Sequence, residues 1–443
     1  MIALKAQKIA EILGYEGDVS DIEIREVSTD SRKVDGHTLF IALKGEKFDG
    51  HNFIADVLKS GGAMAVSEKK IDGVDEKKVI IVKDTLKALG KLAQYNRRQY
   101  KGTVIALTGS SGKTTTKEEL KAALSKYAKT YATSGNFNNF IGVPRSLLDI
   151  DMDAKYAIIE MGMSARGEID YLTKLTEPDV ALVTNVYPMH LEFLGTLENI
   201  AKAKAEIFSG LRAGGTAVIN EDTAYAEILE AEAQKFAKTL IKFGKNRHPA
   251  VTLCLSEEGE AFLYNAWAVL SVLQALGLEL EKGVEAVNAF SAPEGRGKKF
   301  LLNLNGKKVI LIDNSYSGGP DATVMAVHAL GKMPAKGRKI ALIGKMAELG
   351  NYTKEAHIRV GRALRENNID IVIGVCAETR DMLNELSASQ EQHYFETIEG
   401  VSDFLLSELQ DGDVVLVKGS HYSSQVYKVA TFFKEKCCGL GAC

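Results

Sequence analysis

The feature that most restricts the fold is an alternation, met twice along the chain, of short runs rich in β-branched residues with stretches of helical periodicity. The first series is "VIALTG" (104–109), "YAIIEMG" (156–162), "VALVTNV" (180–186) and "GTAVIN" (215–220). The second is "VILIDNSY" (309–316), "IALIGKM" (340–346), "IDIVIGV" (369–375) and "VVLVKGS" (414–420). Apolar runs of this length separated by amphipathic segments predict βαβ units and mainly parallel sheets. Between the series the pattern lapses at "APEGRGKK" (292–299), which reads as a linker. Ahead of both lie "TLFIAL" (38–43), "AMAVSE" (63–68) and "VIIVKD" (79–84), with the turn-rich "KGEKFDGH" (44–51). A chain of 443 residues exceeds the size of one core. Three α/β domains are expected: residues 1–98, a central parallel-sheet domain over 99–293, and a third over 294–443.

Lysine plus arginine (55) nearly balances aspartate plus glutamate (58), so no global field marks a nucleic-acid or membrane-surface protein. The opening "MIALKAQKIAEILGYEGDVS" has no long apolar core of a signal peptide, and no uninterrupted apolar stretch would span a bilayer. A cytoplasmic protein without membrane insertion is expected. Of five cysteines, Cys254 and Cys376 sit in apolar runs, and Cys437, Cys438 and Cys443 lie in the tail "CCGLGAC". That tail reads as incidental thiols ahead of a metal or redox patch.

The stretch "IALTGSSGKTTTKEEL" (105–120) joins an apolar run to a helix through a Gly/Ser turn. Such a junction holds phosphate. The backbone N–H groups of Gly109, Ser110, Ser111, Gly112 and Thr115 point at the anion, Lys113 supplies a charge, and the Thr114 hydroxyl can ligate Mg²⁺. Leu120, Leu124 and Tyr127 share one face of the helix. Leu107 stands where the usual phosphate loop has its first glycine, so the loop is a shortened one, and an ordinary turn is the competing reading.

Polar groups follow the neighbouring runs at the strand ends where open parallel sheets bind ligands. Glu160 closes "YAIIE", and it reads either as a hydrogen-bonded acid or as a metal ligand. Asn185 and His190 follow in "VTNVYPMHLEF", with His190 either a loop residue or a metal ligand. In "TLENIAKAKAEIF" (196–208), Lys204 shares a helical face with Leu197, Ile200, Ala203, Ile207 and Phe208. It either snorkels or is desolvated, which would favour neutral amine and permit a carbamate, an anionic ligand for Mg²⁺.

"TGSSGKTTTKE", "TSGNFNNFIGVP" (133–144), "EMGMSARGEI" (160–169), the segment 184–208 and "YNAWAV" (264–269) together resemble the central ATPase domain of the Mur ligases. The N-terminal "STDSRKVDGHTLFIALKGEKFDGHNFI" (28–54) is similar to the family's UDP-sugar-binding domain. Within the family, the Ser-Ser pair and "EMGM" are most similar to the type that joins D-Ala-D-Ala to a UDP-N-acetylmuramoyl tripeptide. The resemblance implies a central P-loop ATPase domain and a Rossmann-like third domain. It also implies an ATP-dependent, ADP-forming peptide ligase of peptidoglycan precursor synthesis, working as a monomer through an acyl phosphate. Lys113 would contact the β/γ-phosphates, and Thr114, Glu160, His190 and carbamylated Lys204 would surround Mg²⁺. Asn265 would face adenine, while Arg296, Asp313 and Tyr316 would reach the nucleotide from the third domain. Ser31 and Arg32 would lie near the uridine diphosphate, and Asn138 and Asn139 near the peptide end and the phosphates.

The third domain departs from the family pattern. "DNSYSGGP" (313–320) has Ser317, Gly318 and Gly319 where Asn-Ala-Asn is usual, Lys345 in "GKM" stands in place of an acid, and His421 in "KGSH" replaces an arginine. These positions would meet the incoming amine, so two further readings stand beside the first. One keeps the acyl-phosphate chemistry with another carboxylate or amine, and the other is a nucleotide-binding relative without catalysis.

Overall fold

The computed structural model describes residues 1–45, 48–257 and 259–438. The cysteine tail expected to be incidental lies outside the described residues, save for the helical backbone of Cys437 and Cys438. The N-terminal sheet is fully parallel, in the order Glu26–Ser28, Thr38–Ile41, Met64–Ser67 and Val79–Ile81. The central sheet has six parallel strands, in the order Thr239–Phe243, Thr216–Asn220, Val180–Val183, Thr103–Thr108, Tyr156–Glu160 and Thr130–Ala132. The third sheet begins with the antiparallel pair Lys298–Leu304 and Lys307–Asn314. It continues in parallel through Val414–Lys418, Lys339–Gly344, Ile371–Val375 and Glu391–Phe395.

Each of the eight quoted runs of the two series lies on one of these strands, and seven of those strands are buried along their whole length or all but one residue. The strands that sequence reading missed are at edges. Thr130–Ala132, Thr239–Phe243 and Glu391–Phe395 are only partly buried and carry polar residues, because an edge has one neighbour and meets water. The linker expected over 292–299 ends early, since Lys298 already pairs with Asp313.

The helix Thr85–Gln99 packs along the central domain. Asn96 donates to the carbonyls of Leu147 (2.8 Å) and Leu148 (3.3 Å), and the buried Arg97 donates to Thr176 O at 2.6 Å. Leu89, Leu92 and Ala93 share one apolar core with Val143, Leu147 and Leu172. The first two domains are therefore joined by a continuous core rather than by a tether.

The helix Lys113–Ser125 buries Leu120 and Leu124 as its periodicity predicts, and it also buries Glu119. One Glu119 carboxylate oxygen has no hydrogen-bond partner among the described residues, and burial holds its acid well above the ordinary carboxylate range. The folded protein therefore keeps this proton while the unfolded chain releases it above about pH 4.3, and stability falls as pH rises through that value. Glu119→Gln is expected to raise the thermal midpoint by roughly 2–4 °C at pH 7.5, equivalent to about 1 kcal/mol. The gain should shrink towards pH 4, as read by calorimetry, and a pH-independent difference would refute the assignment.

Candidate active site

Thr103–Thr108 occupies the middle of the central sheet, where the chain switches from one side of it to the other. Its carboxyl end runs into the loop 109–112, which needs glycine at both ends. A β-carbon on Gly109 would sit 1.9 Å from the Thr184 hydroxyl. Gly112, at φ +78°, turns the chain into the helix, and a β-carbon there would come within 2.8 Å of Asn265 Oδ1. The loop is held by the segment after Val183. Asn185 accepts from Ser111 N (2.8 Å) and donates to Ser111 O (3.0 Å), while the Ser110 hydroxyl donates to Tyr187 O (3.0 Å) and accepts from Tyr187 N (2.9 Å). These bonds keep the backbone N–H groups of the turn in one arrangement at the helix start.

Lys113 folds back so that Nζ donates to Gly109 O at 2.8 Å. Burial lowers the basicity of its amine, and the nearby Glu160 carboxylate partly offsets this. Glu160 is 1 % exposed at the end of Tyr156–Glu160. Its Oε1 accepts from Asn138 Nδ2 (2.8 Å) and from the Thr114 hydroxyl (3.3 Å), while Oε2 is buried without a hydrogen-bond partner among the described residues. An orphaned carboxylate oxygen beside a hydroxyl is the oxygen-donor chemistry that Mg²⁺ takes, usually completed by water and substrate phosphate. Among the described residues no group of three or more His, Cys, Asp or Glu could hold a metal by itself. The fit is therefore to a metal shared with a phosphate.

Arg296 crosses from the third domain, donates to the Thr114 hydroxyl at 3.2 Å and lies 3.8 Å over the Tyr316 ring. Between the two domains is a cleft, lined on one side by Ser111, Gly112, Thr115 and Asn265 and on the other by Arg296, Asn314 and Lys418. Asn265 Oδ1 accepts from the Thr116 hydroxyl at 3.1 Å.

Three of the expected residues have other partners in the structure. Asp313 does not face the cleft: its carboxylate accepts from Ser315 Oγ (2.6 Å) and from Lys434 (3.0 Å). Side chains alternate along Lys307–Asn314, so it is Asn314 that lines the cleft. His190, at φ +59°, is drawn to the third domain, where Nδ1 lies 2.5 Å from Glu348 Oε2 outside hydrogen-bonding geometry. The backbone of Glu192 donates to Glu348 O nearby. Asn139 Oδ1 accepts from Ile141 N and Gly142 N at 3.1 and 2.9 Å, in the turn ahead of the helix Gly142–Leu148.

Lys204 resolves its two readings. It is 2 % exposed, and burial together with the charge of Lys113 pushes its amine well below the usual lysine range. In the N-terminal domain Arg32 is exposed and pairs bidentately with Asp30 at 2.9 Å, with Ser31 beside it in the turn. Lys345 pairs with Glu378 at 3.0 Å, so the charge standing in place of an acid is balanced locally. His421 stacks on Tyr427 with ring centroids 4.1 Å apart and packs on Tyr316 at 5.2 Å, its Nδ1 buried without a partner. Ser317 O accepts from Lys418.

Sequence reasoning passed over Lys117, which is wholly buried and donates to Thr133 O (2.7 Å) and Gly135 O (2.9 Å), anchoring the loop that carries Asn136 and Asn138. The available signal was its place one helical turn beyond Lys113, facing the same strand ends.

Three family profiles match the chain: "Mur ligase family, catalytic domain" over residues 23–97, "Mur ligase middle domain" over 107–273, and "Mur ligase, glutamate ligase domain" over 301–421. The UDP-N-acetylmuramoyl-tripeptide–D-alanyl-D-alanine ligase of Escherichia coli (strain K12) is 34 % identical, over 95 % of this chain and 96 % of the relative. The ligase of the same name from Synechocystis is 33 % identical over 90 % of each. Among solved structures, MurF from Acinetobacter baumannii superposes with a TM-score of 0.88 at 29 % identity, over 98 % of this chain and 99 % of that one. MurF from Thermotoga maritima, in complex with ADP, gives 0.82 at 28 % identity, over 93 % and 98 %.

Proposed function

The chain belongs to the Mur ligase family, and from that premise we propose that it joins D-Ala-D-Ala to a UDP-N-acetylmuramoyl tripeptide, consuming ATP and forming ADP and phosphate. The observation that carries this reading is the meeting of Lys113, Thr114 and Glu160 with Arg296 of the third domain. It occurs in a chain similar over nearly its whole length to ligases of that name. The product is a peptidoglycan precursor, and the enzyme acts as a cytoplasmic monomer. Among the described residues no helix is long and apolar enough to cross a membrane.

A carboxylate is a poor acyl donor, so it is first phosphorylated by ATP. The loop 109–112 and the helix N-terminus hold the phosphates, and Lys113 leaves Gly109 O to meet the β/γ-phosphates. Thr114 and Glu160 would hold Mg²⁺, which when bound offsets repulsion between the carboxylate and the γ-phosphate. Arg296, already against Thr114, adds positive charge as the phosphoryl group transfers. Asn265 reads adenine, and Asn138, fixed on Glu160, borders the peptide end. Ser31 and Arg32 take the uridine diphosphate. Residues 1–98, 99–293 and 294–443 thus divide the work into carboxylate substrate, ATP and amine. Lys204 is an unmodified amine in this mechanism, buried beside the charge of Lys113, and the carbamate is set aside.

The test is phosphate release with Mg·ATP, the tripeptide substrate and D-Ala-D-Ala, D-Ala or no amine, with mass detection of the product. A pentapeptide formed preferentially from D-Ala-D-Ala is expected. ATP turnover that needs neither substrate would overturn the reading. The pairing of Lys345 with Glu378 and the bare His421 favour one second reading, a different amine in the same chemistry; tripeptide-dependent ADP formation without the pentapeptide would select it.

A further inference from the structure

Lys418 is the last residue of Val414–Lys418, at the carboxyl edge of the third parallel sheet, in register with Asn314 on one side and Ile343 on the other. It is 1 % exposed, yet it lines the cleft together with Arg296, Asn314 and Ser317. Nζ donates to Ser317 O at 2.5 Å across 101 residues of sequence. Among the described residues no carboxylate pairs with it. Asp313, on the adjoining strand, is turned to Lys434, and Glu260, elsewhere on the cleft wall, pairs with Lys245. Arg296 is the charged group that bears on it, and of the same sign.

The segment that Lys418 grips sits at the junction of the two domains. A β-carbon on Gly318 would lie 2.4 Å from Ser420 N, and one on Gly319 would lie 2.3 Å from Met189 Sδ of the central domain. The amine therefore stands at the point where a carboxylate activated on the central domain and an amine bound on the third must meet. A buried amine without a counter-ion is cheaper neutral than charged. Burial and Arg296 lower its pKa to about 7. Neutral Nζ can give one N–H to Ser317 O and direct its lone pair into the cleft.

We propose that Lys418 is the general base of the second half-reaction, taking a proton from the ammonium of the incoming amino compound. The proposal rests on the ligase reading above. The ammonium R–NH₃⁺ passes one proton to neutral Nζ, leaving R–NH₂ and a charged Lys418. The freed lone pair attacks the acyl carbon, a C–N bond forms, and the tetrahedral intermediate expels phosphate as its C–O bond breaks. The second nitrogen proton leaves with the phosphate, and Lys418 returns its proton to solvent when the cleft opens.

The two half-reactions can be read separately in the full-length enzyme. Positional isotope exchange in ¹⁸O-labelled ATP, with the tripeptide substrate and no amine, reports acyl-phosphate formation. Pentapeptide formation across pH 6–9.5 reports the attack. For Lys418→Met and Lys418→Arg, isotope exchange is expected to stay within about threefold of wild type, while amide formation at pH 7.5 falls about 10²-fold or more. In both variants the rate should climb with pH beyond the wild-type plateau, as free amine becomes available without a base. Arginine can keep the bond to Ser317 O and carries a permanent charge, but it cannot accept a proton. Its recovery of wild-type rate would overturn the proposal in favour of a structural or purely electrostatic role. Equal loss of exchange and amide formation would overturn it as well, placing Lys418 in phosphoryl transfer. Absence of exchange in the wild type would instead reject the ligase reading on which it stands.

Discussion

Lys113→Met is expected to lower tripeptide-dependent ADP formation by about 10³-fold while the protein stays folded. The methionine matches the lysine stem and leaves the packing of a half-buried chain intact. The charge is what disappears. In the structure that charge has been desolvated in advance, held between the Gly109 carbonyl at 2.8 Å and the Glu160 carboxylate. A cation already stripped of water and aimed along the loop costs little to reorganise as negative charge builds on the transferring phosphate, and removing one such donor typically costs about 10²–10³. Arg296 cannot substitute, because its guanidinium is fixed by Thr114 and the Tyr316 ring. Positional isotope exchange is the direct readout, and an exchange rate within tenfold of wild type would show that Lys113 only braces the turn.

Glu160→Gln is the second large effect, with an expected fall in kcat of about 10²–10³-fold and a raised requirement for Mg²⁺. The substitution keeps the volume and can keep the bond from Asn138, so the loss isolates the charge. Oε2 is the informative atom. A buried carboxylate oxygen without a partner costs free energy in the resting protein, and the cost is explained if that lone pair is reserved for a metal during turnover. The amide puts either an N–H₂ or an uncharged oxygen there. Wild-type activity at ordinary Mg²⁺ would remove Glu160 from the metal site.

Much of this arrangement was legible in the sequence because the signals are local. A buried parallel strand has to be apolar along its enclosed length, and the stretches "VIAL", "VALV" and "IALIG" are. Gly112 and Lys113 announce a phosphate turn through backbone demands that few residues meet. The burial of Lys204 followed from its place on an apolar helix face. What escaped depends on contacts between distant segments. That Asp313 would turn to Lys434, and His190 to Glu348, follows from how the third domain sits, which no window of sequence records. Edge strands such as Glu391–Phe395 escaped because their polarity, suited to water, resembles that of loops. Lys117 and Lys418 escaped because a lysine is assigned to the surface by default, and only the surrounding structure shows these two to be enclosed.

The core shared by the first two domains also bears on how the protein is made. Leu89, Leu92 and Ala93 pack against residues as late in the chain as Leu172, and the same apolar cluster extends to Ala233. A nascent chain leaving the ribosome at about 5–20 residues per second therefore displays the inner face of Thr85–Gln99 for some seconds before its cover is synthesised. The third domain has apolar cores of its own drawn from residues beyond 300, so it can close without waiting for anything upstream. Biogenesis thus proceeds in two instalments. In the first, lasting more than half of translation, the chain depends on chaperones or on speed to keep that helix from sticking elsewhere.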